Sequence, residues 1–223
     1  MSTAQVLDYS TSITIDNNKK ITETTYLIQI NQKESAHLSD IAIYHDAKDK
    51  FKLLEAYVID ANGDKVKKVR KRDVKTRNRS TYSTFYQDDL IEEFDLHWST
   101  YPHLIKYGYR IIEKDFVFIA NWTPYIKSDL KVKSSTLKVD IPEDFDFQSE
   151  YSDAFRFKNS DEKGRKVLEW NLGSYETPED EALAPPLAEL IPRVVVVPQK
   201  FEYGVEGSSE NWQTFGIWQS NLN

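Results

Sequence analysis

The sequence predicts an all-β protein: a large two-sheet antiparallel β-sandwich with a short C-terminal amphipathic helix. Three observations predict it. Aromatics are plentiful, with 13 Tyr, 11 Phe and 5 Trp against 7 Gly and one Met, and with Ile, Val and Thr they suit a half-buried pleated surface. Apolar and polar residues alternate at period two, which turns one face of each strand toward a core. Turn residues then punctuate these runs at the short spacing of a sandwich. The chain's 223 residues are about one and a half nominal domain lengths of ~150. One β-sandwich domain over 1–207 and a helical segment over 208–223 account for them.

The elements follow in order. Tyr26, Ile28 and Ile30 alternate with Thr25, Leu27 and Gln29, one strand face in and one out. Phe51–Asp60 and Lys65–Val69 flank Asn62-Gly63, a pair suited to the two positive-φ positions of a type I′ hairpin turn. Ile105, Tyr107, Tyr109 and Ile111 alternate with Lys106, Gly108 and Arg110. The strand through Leu137 and Val139 ends at Ile141-Pro142, because proline cannot donate to a ladder. Asp161–Gly164 separates Ala154–Phe157 from Lys166–Leu172 as a longer hairpin loop. Five of the 8 prolines fall between Pro178 and Pro198, so Tyr175–Leu190 reads as an extended crossover, followed by a buried strand at Val194–Val197. About 10 to 13 short strands result. At the C-terminus Ser208-Ser209-Glu210 signals a helix start. Trp212, Phe215, Trp218 and Leu222 follow at helical spacing, one apolar face of about three turns.

Composition excludes several classes. The 29 basic and 36 acidic residues leave a net charge of −7, which argues against a nucleic-acid partner. The absence of cysteine excludes disulfides, Cys-ligated metal and a cysteine nucleophile in this chain. No run reaches the ~18 apolar residues of a membrane span. Met1–Gln5 has neither a basic nor an apolar leader character. No glycine-rich phosphate loop and no Gly-x-Ser-x-Gly elbow occurs. The sequence therefore offers no cofactor site.

Four segments carry a family resemblance. Leu53–Lys68 reads LLEAYVIDANGDKVKK, with Ala61 and Asn62 where the family hairpin has Pro-Asp. Phe94–Glu113 contains Tyr101-Pro102-His103-Leu104-Ile105-Lys106-Tyr107-Gly108-Tyr109, shortened and without the glycine that precedes the family's strand. Trp122-Thr123-Pro124-Tyr125 leads to Asp140-Ile141-Pro142, and Pro192-Arg193-Val194 to Ser209-Glu210-Asn211-Trp212 and Trp218. In this order they resemble the bacterial β-rich domain of unknown function found N-terminal to transglutaminase-like, papain-type cysteine domains. The resemblance implies a non-catalytic accessory domain that positions or recruits substrate for a cysteine hydrolase in the same polypeptide. It also implies an exported protein, periplasmic or extracellular; a cytoplasmic location is the alternative. The catalytic triad then belongs to the other domain, and no triad residue is assigned here. The alternative function is a stand-alone glycan- or peptide-binding module.

Two candidate surfaces stand out. Lys65, Lys67, Lys68, Arg70, Lys71, Arg72, Lys75, Arg77 and Arg79 form a basic run in an acidic chain. Lys67, Lys68, Arg70, Lys71 and Arg72, with Tyr82, Tyr86, Trp98 and Tyr101, make a candidate ligand or anion surface. Trp212, Phe215 and Trp218 make a candidate interdomain docking face. Glu93, Asp95 and His97 alternate on one strand face at a spacing open to metal donors, but the same pattern suits an acidic solvent face. The carboxylate runs Glu92/Glu93 and Glu179/Asp180/Glu181 offer pairs of the kind glycoside hydrolysis needs, and solvation explains them equally.

Overall fold

In the computed structural model the chain is described at residues 2–78, 89–126, 130–176, 186–210 and 212–221. The N-terminal strands are β1 (Ala4–Asp16), β2 (Lys19–Ile30), β3 (Asp40–Asp46), β4 (Lys50–Ile59), β5 (Lys65–Lys68), β6 (Lys75–Asn78), β7 (Asp89–Asp95), β8 (His103–Glu113) and β9 (Ala120–Trp122). There follow β10 (Lys131–Val132), β11 (Ser135–Pro142), β12 (Phe147–Tyr151), β13 (Arg156–Glu162), β14 (Arg165–Leu172), β15 (Tyr175–Glu176), β16 (Val194–Pro198), β17 (Lys200–Tyr203) and β18 (Val205–Ser208). A single helical turn, α1 (Leu187–Leu190), precedes β16, and α2 (Trp212–Asn221) follows β18. The strands outnumber those read from sequence because several are two to five residues long, too short to display alternation.

The largest sheet runs β13-β14-β11-β1-β2-β8-β4-β5, with β10 and β15 added at β1. Two three-stranded sheets, β12-β16-β9 and β3-β7-β6, and the hairpin β17-β18 complete the described strands. The expected packed all-β architecture is present, with its second layer divided into separate small sheets. Pairing is antiparallel except where β1 meets β10 and β11 in parallel. Those parallel pairs are reached by a long crossover, as such pairing requires.

Register explains why one face of the large sheet is core. Leu168, Val139, Ile13, Thr22, Ile111 and Phe51 lie in one cross-strand row. Two rows further along the same face, Tyr9, Tyr26 and Tyr107 lie side by side with stacked rings 4.5 and 4.9 Å apart. The small sheets cover these rows. Trp122 from β9 sits 5.3 Å from Tyr9 and donates its Nε1–H to Thr11 Oγ1 at 3.1 Å. Phe94 from β7 meets Tyr107 edge-on at 6.1 Å. Burial pushes the hydroxyl pKa values of Tyr9, Tyr26 and Tyr107 up, and that of Tyr109 up to about 12. These phenols stay neutral at ordinary pH and serve packing.

The opposite face is polar and cross-linked by charge. Arg110 binds Glu23, Lys106 binds Glu55 at 2.9 Å, and Arg165 binds Asp140 at 2.5 Å.

Turn chemistry differs from the sequence reading in two places. The Asn62-Gly63 hairpin has positive φ only at Gly63. Its five-residue loop is organised by Asp60, whose Oδ1 accepts from the N–H groups of Asn62 and Asp64. Conversely, β13 and β14 pair down to Glu162 and Arg165, leaving only Lys163-Gly164, both at positive φ, in a tight turn. The unread pair Asn17-Asn18, also at positive φ, closes β1 to β2 in the same way. A two-residue loop with both positions left-handed matches the strand twist.

Candidate functional site

The basic run folds around the outer edge of the large sheet. β5 carries Lys65–Lys68 along β4, in register from Tyr57 opposite Lys68 to Ile59 opposite Lys65. The chain then leaves the sheet: Val69 N–H donates to Ala56 O at 2.9 Å, and Val69 is 6% exposed. That buried valine anchors a tight turn at Arg70–Asp73. Arg70 N–H donates to Asp73 Oδ2 and Asp73 N–H to Arg70 O, each at 2.8 Å. β6 continues into the β3-β7-β6 sheet, with Lys75 opposite Glu93.

This path sorts the cations into two sets. Lys67 is bound to Asp95, and that contact holds the Asp95 carboxyl below its usual range. Arg77 grips Glu93 with two bonds of 2.7 and 2.8 Å and lowers its pKa likewise. Arg72 lies 3.7 Å from Asp73 on the surface, a distance and exposure at which an ion pair contributes little. Lys68, Arg70 and Lys71 have no acidic side-chain partner among the described residues. With Lys65 they wall a concavity of about 330 Å³ over Leu53, Leu54 and Tyr57. Lys65 Nζ stands 4.0 Å above the Tyr57 ring, and Lys106 Nζ 5.9 Å from it. The lysine stems cover this ring, which is 9% exposed although it points away from the core. The concavity thus presents positive charge rather than a bare aromatic face.

The structure brings together part of the surface read from sequence. Lys68, Arg70 and Lys71 share the concavity, and Lys67 is committed to Asp95. Trp98 and Tyr101 are half-buried and pack on the core, with the Tyr101 ring 5.2 Å from His103. Tyr82 and Tyr86 lie outside the described residues, as does the run Glu179/Asp180/Glu181. On the C-terminal helix Trp218 is 8% exposed and edge-on to Phe201 at 5.0 Å. The side chains of Trp212 and Phe215 lie outside the described set. Around Trp218 a wider hollow of about 650 Å³ opens between the β17-β18 hairpin, Phe116 and Phe145.

Glu93, Asp95 and His97 do not converge. Each faces its own partner, Arg77, Lys67 and, at 2.7 Å, Asp40. Among the described residues no group of three or more His, Asp or Glu is placed to hold a metal. Glu92 and Glu93 point to opposite faces of β7, so they do not form a catalytic pair.

Two clusters escaped the sequence reading. Glu92 is buried, accepts from Thr76 Oγ1 at 2.7 Å, and lies 3.3 Å from His45 Nε2. His45 Nδ1 is 2.8 Å from Asp46 O. A carbonyl only accepts, so Nδ1 carries the hydrogen of that bond. The second cluster is an acidic rim of Asp46, Asp49, Glu113 and Asp115 around about 300 Å³. Lys48 is clasped there, 4.4 Å from the Tyr203 ring. Burial and the nearby Glu113 and Asp46 raise the Asp49 carboxyl pKa to about 6. Neither cluster is visible as a motif, because its members come from distant strands.

The fold and its edge chemistry define an all-β domain of several packed sheets with a cluster of cations at the margin of the largest one. The chain belongs to the family described as a Domain of Unknown Function with solved-structure structure, DUF3857, which matches residues 16–179. No curated protein matches the sequence. Among solved structures, a protein of Parabacteroides distasonis described as a proposed protease is similar at TM-score 0.77 and 15% identity, over 87% of this chain and 40% of that one. The chain therefore spans well under half the length of that protein. Aminopeptidase A of Legionella pneumophila matches at TM-score 0.42 and 12% identity, over 90% of this chain and 22% of its own. A zinc metallopeptidase of Deinococcus radiodurans matches at 0.37 and 10%, over 89% and 44%. The last two scores lie below the level at which a shared fold is inferred.

Proposed function

We propose that this chain is a non-catalytic accessory domain that positions or recruits substrate for a transglutaminase-like cysteine hydrolase in the same polypeptide. The carrying observation is membership of the DUF3857 family over residues 16–179, joined to the four segments of resemblance that occur in order in the sequence. Two facts support the reading. A chain without cysteine cannot itself supply a thiolate nucleophile. The same fold also occupies 40% of a longer protein described as a proposed protease. His45, His97 and His103 each hydrogen-bond to a carboxylate or a backbone carbonyl. The reading places the protein in an exported compartment, which cell fractionation checks.

Two measurements test it. The purified chain is expected to show no amide hydrolysis or transfer on casein. The gene is expected to encode a further domain carrying Cys, His and Asp. Amide hydrolysis by this chain, or a gene without such a domain, overturns the proposal. A stand-alone ligand-binding module is the second reading, and the cationic concavity beside Tyr57 favours it.

A further inference from the structure

The geometry of the β4–β5 margin points to a binding site for an extended acidic peptide segment, which adds to the open edge of β4 and places its carboxylates on Lys68, Arg70 and Lys71. This concerns the chain alone and does not depend on the accessory reading. β4 is paired with β8 from Lys50 to Ile59, but β5 covers only Tyr57 to Ile59. From Lys50 to Glu55 the other edge of β4 has no strand partner among the described residues. Leu54, at a break in the β4–β8 register, is 40% exposed. That open edge borders the concavity, whose wall is Lys65, Lys68, Arg70 and Lys71. An unpaired edge offers backbone donors and acceptors to an incoming strand. Its flanking cations decide which strand is admitted.

Lysines on an edge ordinarily guard against pairing. Lys50 and Lys52 are exposed on this edge too. The same charges attract a strand that carries carboxylates, so the guard becomes a selector. Among the described residues lining the concavity the one acid is Glu55, which is held by Lys106 at 2.9 Å. The turn at Arg70–Asp73 is fixed by its two 2.8 Å bonds, so Arg70 and Lys71 are held beside the edge before any ligand arrives.

Other anions fit less well. Nucleic acids draw affinity from many phosphate contacts along a basic stripe, whereas this patch is small and the chain carries −7 overall. An anionic membrane is repelled by the same net charge. A sugar would stack on an open aromatic face, and Tyr57 is covered by Lys65. A short acidic segment senses mainly the local field, because charges beyond about 8–10 Å are screened.

The experiment is fluorescence anisotropy on the whole chain with a labelled alternating Glu-Thr peptide. Its Gln-Thr counterpart, a Glu-Pro version, a heparin oligosaccharide and a short DNA duplex are the comparison probes. The Glu-Thr peptide is expected to bind, and to weaken about tenfold or more between ~50 and ~200 mM salt. The Gln-Thr and Glu-Pro peptides are expected to bind at least about tenfold more weakly, since one lacks charge and the other lacks strand donors. Arg70→Glu with Lys71→Glu should abolish binding, while Lys138→Glu on β11, four strands from β4 in the sheet order, should leave it unchanged. If the double variant fails to fold, Lys68→Gln alone should still weaken binding. Equal affinity for the Glu-Thr and Glu-Pro peptides overturns strand addition. Preference for heparin or DNA overturns the peptide assignment, and indifference to the charge changes overturns the site.

Discussion

Asp49 provides a direct check on the electrostatics of the acidic rim. Its carboxyl faces Glu113 and Asp46, with His45 as a partial counter-charge, while Lys48 is engaged with Asp46, Asp115 and the Tyr203 ring. Burial is the largest cause of its raised pKa, and the two nearby carboxylates add to it. The native value of about 6, against 3.8 for the free group, means that the folded state holds this proton more tightly than the unfolded state. The resulting stabilisation is fully present below pH 3.8 and is lost as pH rises through about 6. A shift of roughly two units sets a ceiling of about 3 kcal/mol. Asp49 is only half-buried, so solvent screening reduces the usable part to about 1 kcal/mol.

Asp49→Asn removes the titration while keeping shape and the Asp49 N–H to Asp46 O bond of 3.0 Å. The variant is expected to be about 1 kcal/mol more stable than the parent at about pH 7.5, and the difference should vanish near pH 4. Urea unfolding at the two pH values measures it. Other carboxylates titrate in the same window, but the parent-minus-variant difference cancels groups that do not couple to Asp49. A variant less stable at pH 7.5, or a gap unchanged between the two pH values, refutes the argument.

Three further outcomes follow from the packing. Trp122→Phe removes the bond to Thr11 and leaves that hydroxyl buried; urea unfolding should show a loss of about 1–3 kcal/mol. Glu92→Leu strands the buried His45 Nε2 and should cost about 1–3 kcal/mol by the same measurement, with Glu92→Gln milder because it keeps hydrogen-bonding atoms. Gly207→Ala places a Cβ 2.5–2.8 Å from the Phe201 and Trp218 rings. It should release the β17-β18 hairpin from α2, read as faster proteolysis within 200–221 and a red-shifted tryptophan emission.

What the sequence made legible depended on locality. Alternation in Tyr26–Ile30 and Ile105–Ile111 marked β2 and β8 because each strand buries one face against a neighbouring layer. The proline at the end of β11 and the helix start at Ser208–Glu210 are equally local, and both appear where expected. β13 was read too short because all seven of its residues are exposed, which leaves no apolar rhythm. The Asn62 turn was misassigned because Asp60 supplies side-chain acceptors that a dipeptide rule does not weigh. At the candidate site, charge density was visible and charge pairing was not. Lys67 and Arg77 look like Lys68 and Lys71 in sequence. Only the β7 partners Asp95 and Glu93, brought alongside by the fold, separate neutralised cations from available ones.

That separation also limits where this domain can bind anything. The inner face of the large sheet is filled by the tyrosine row and Trp122, and burial holds those phenols neutral. On the outer face, Glu23–Arg110, Glu55–Lys106 and Asp140–Arg165 cancel one another across strands. Such pairs add little stability at the surface, but they flatten the local field. Concentrated positive charge therefore survives where β5 ends short of β4 and the chain turns away at Val69. An unpaired strand edge and unpaired cations coincide there because one event, the departure of the chain from the sheet after Lys68, creates both.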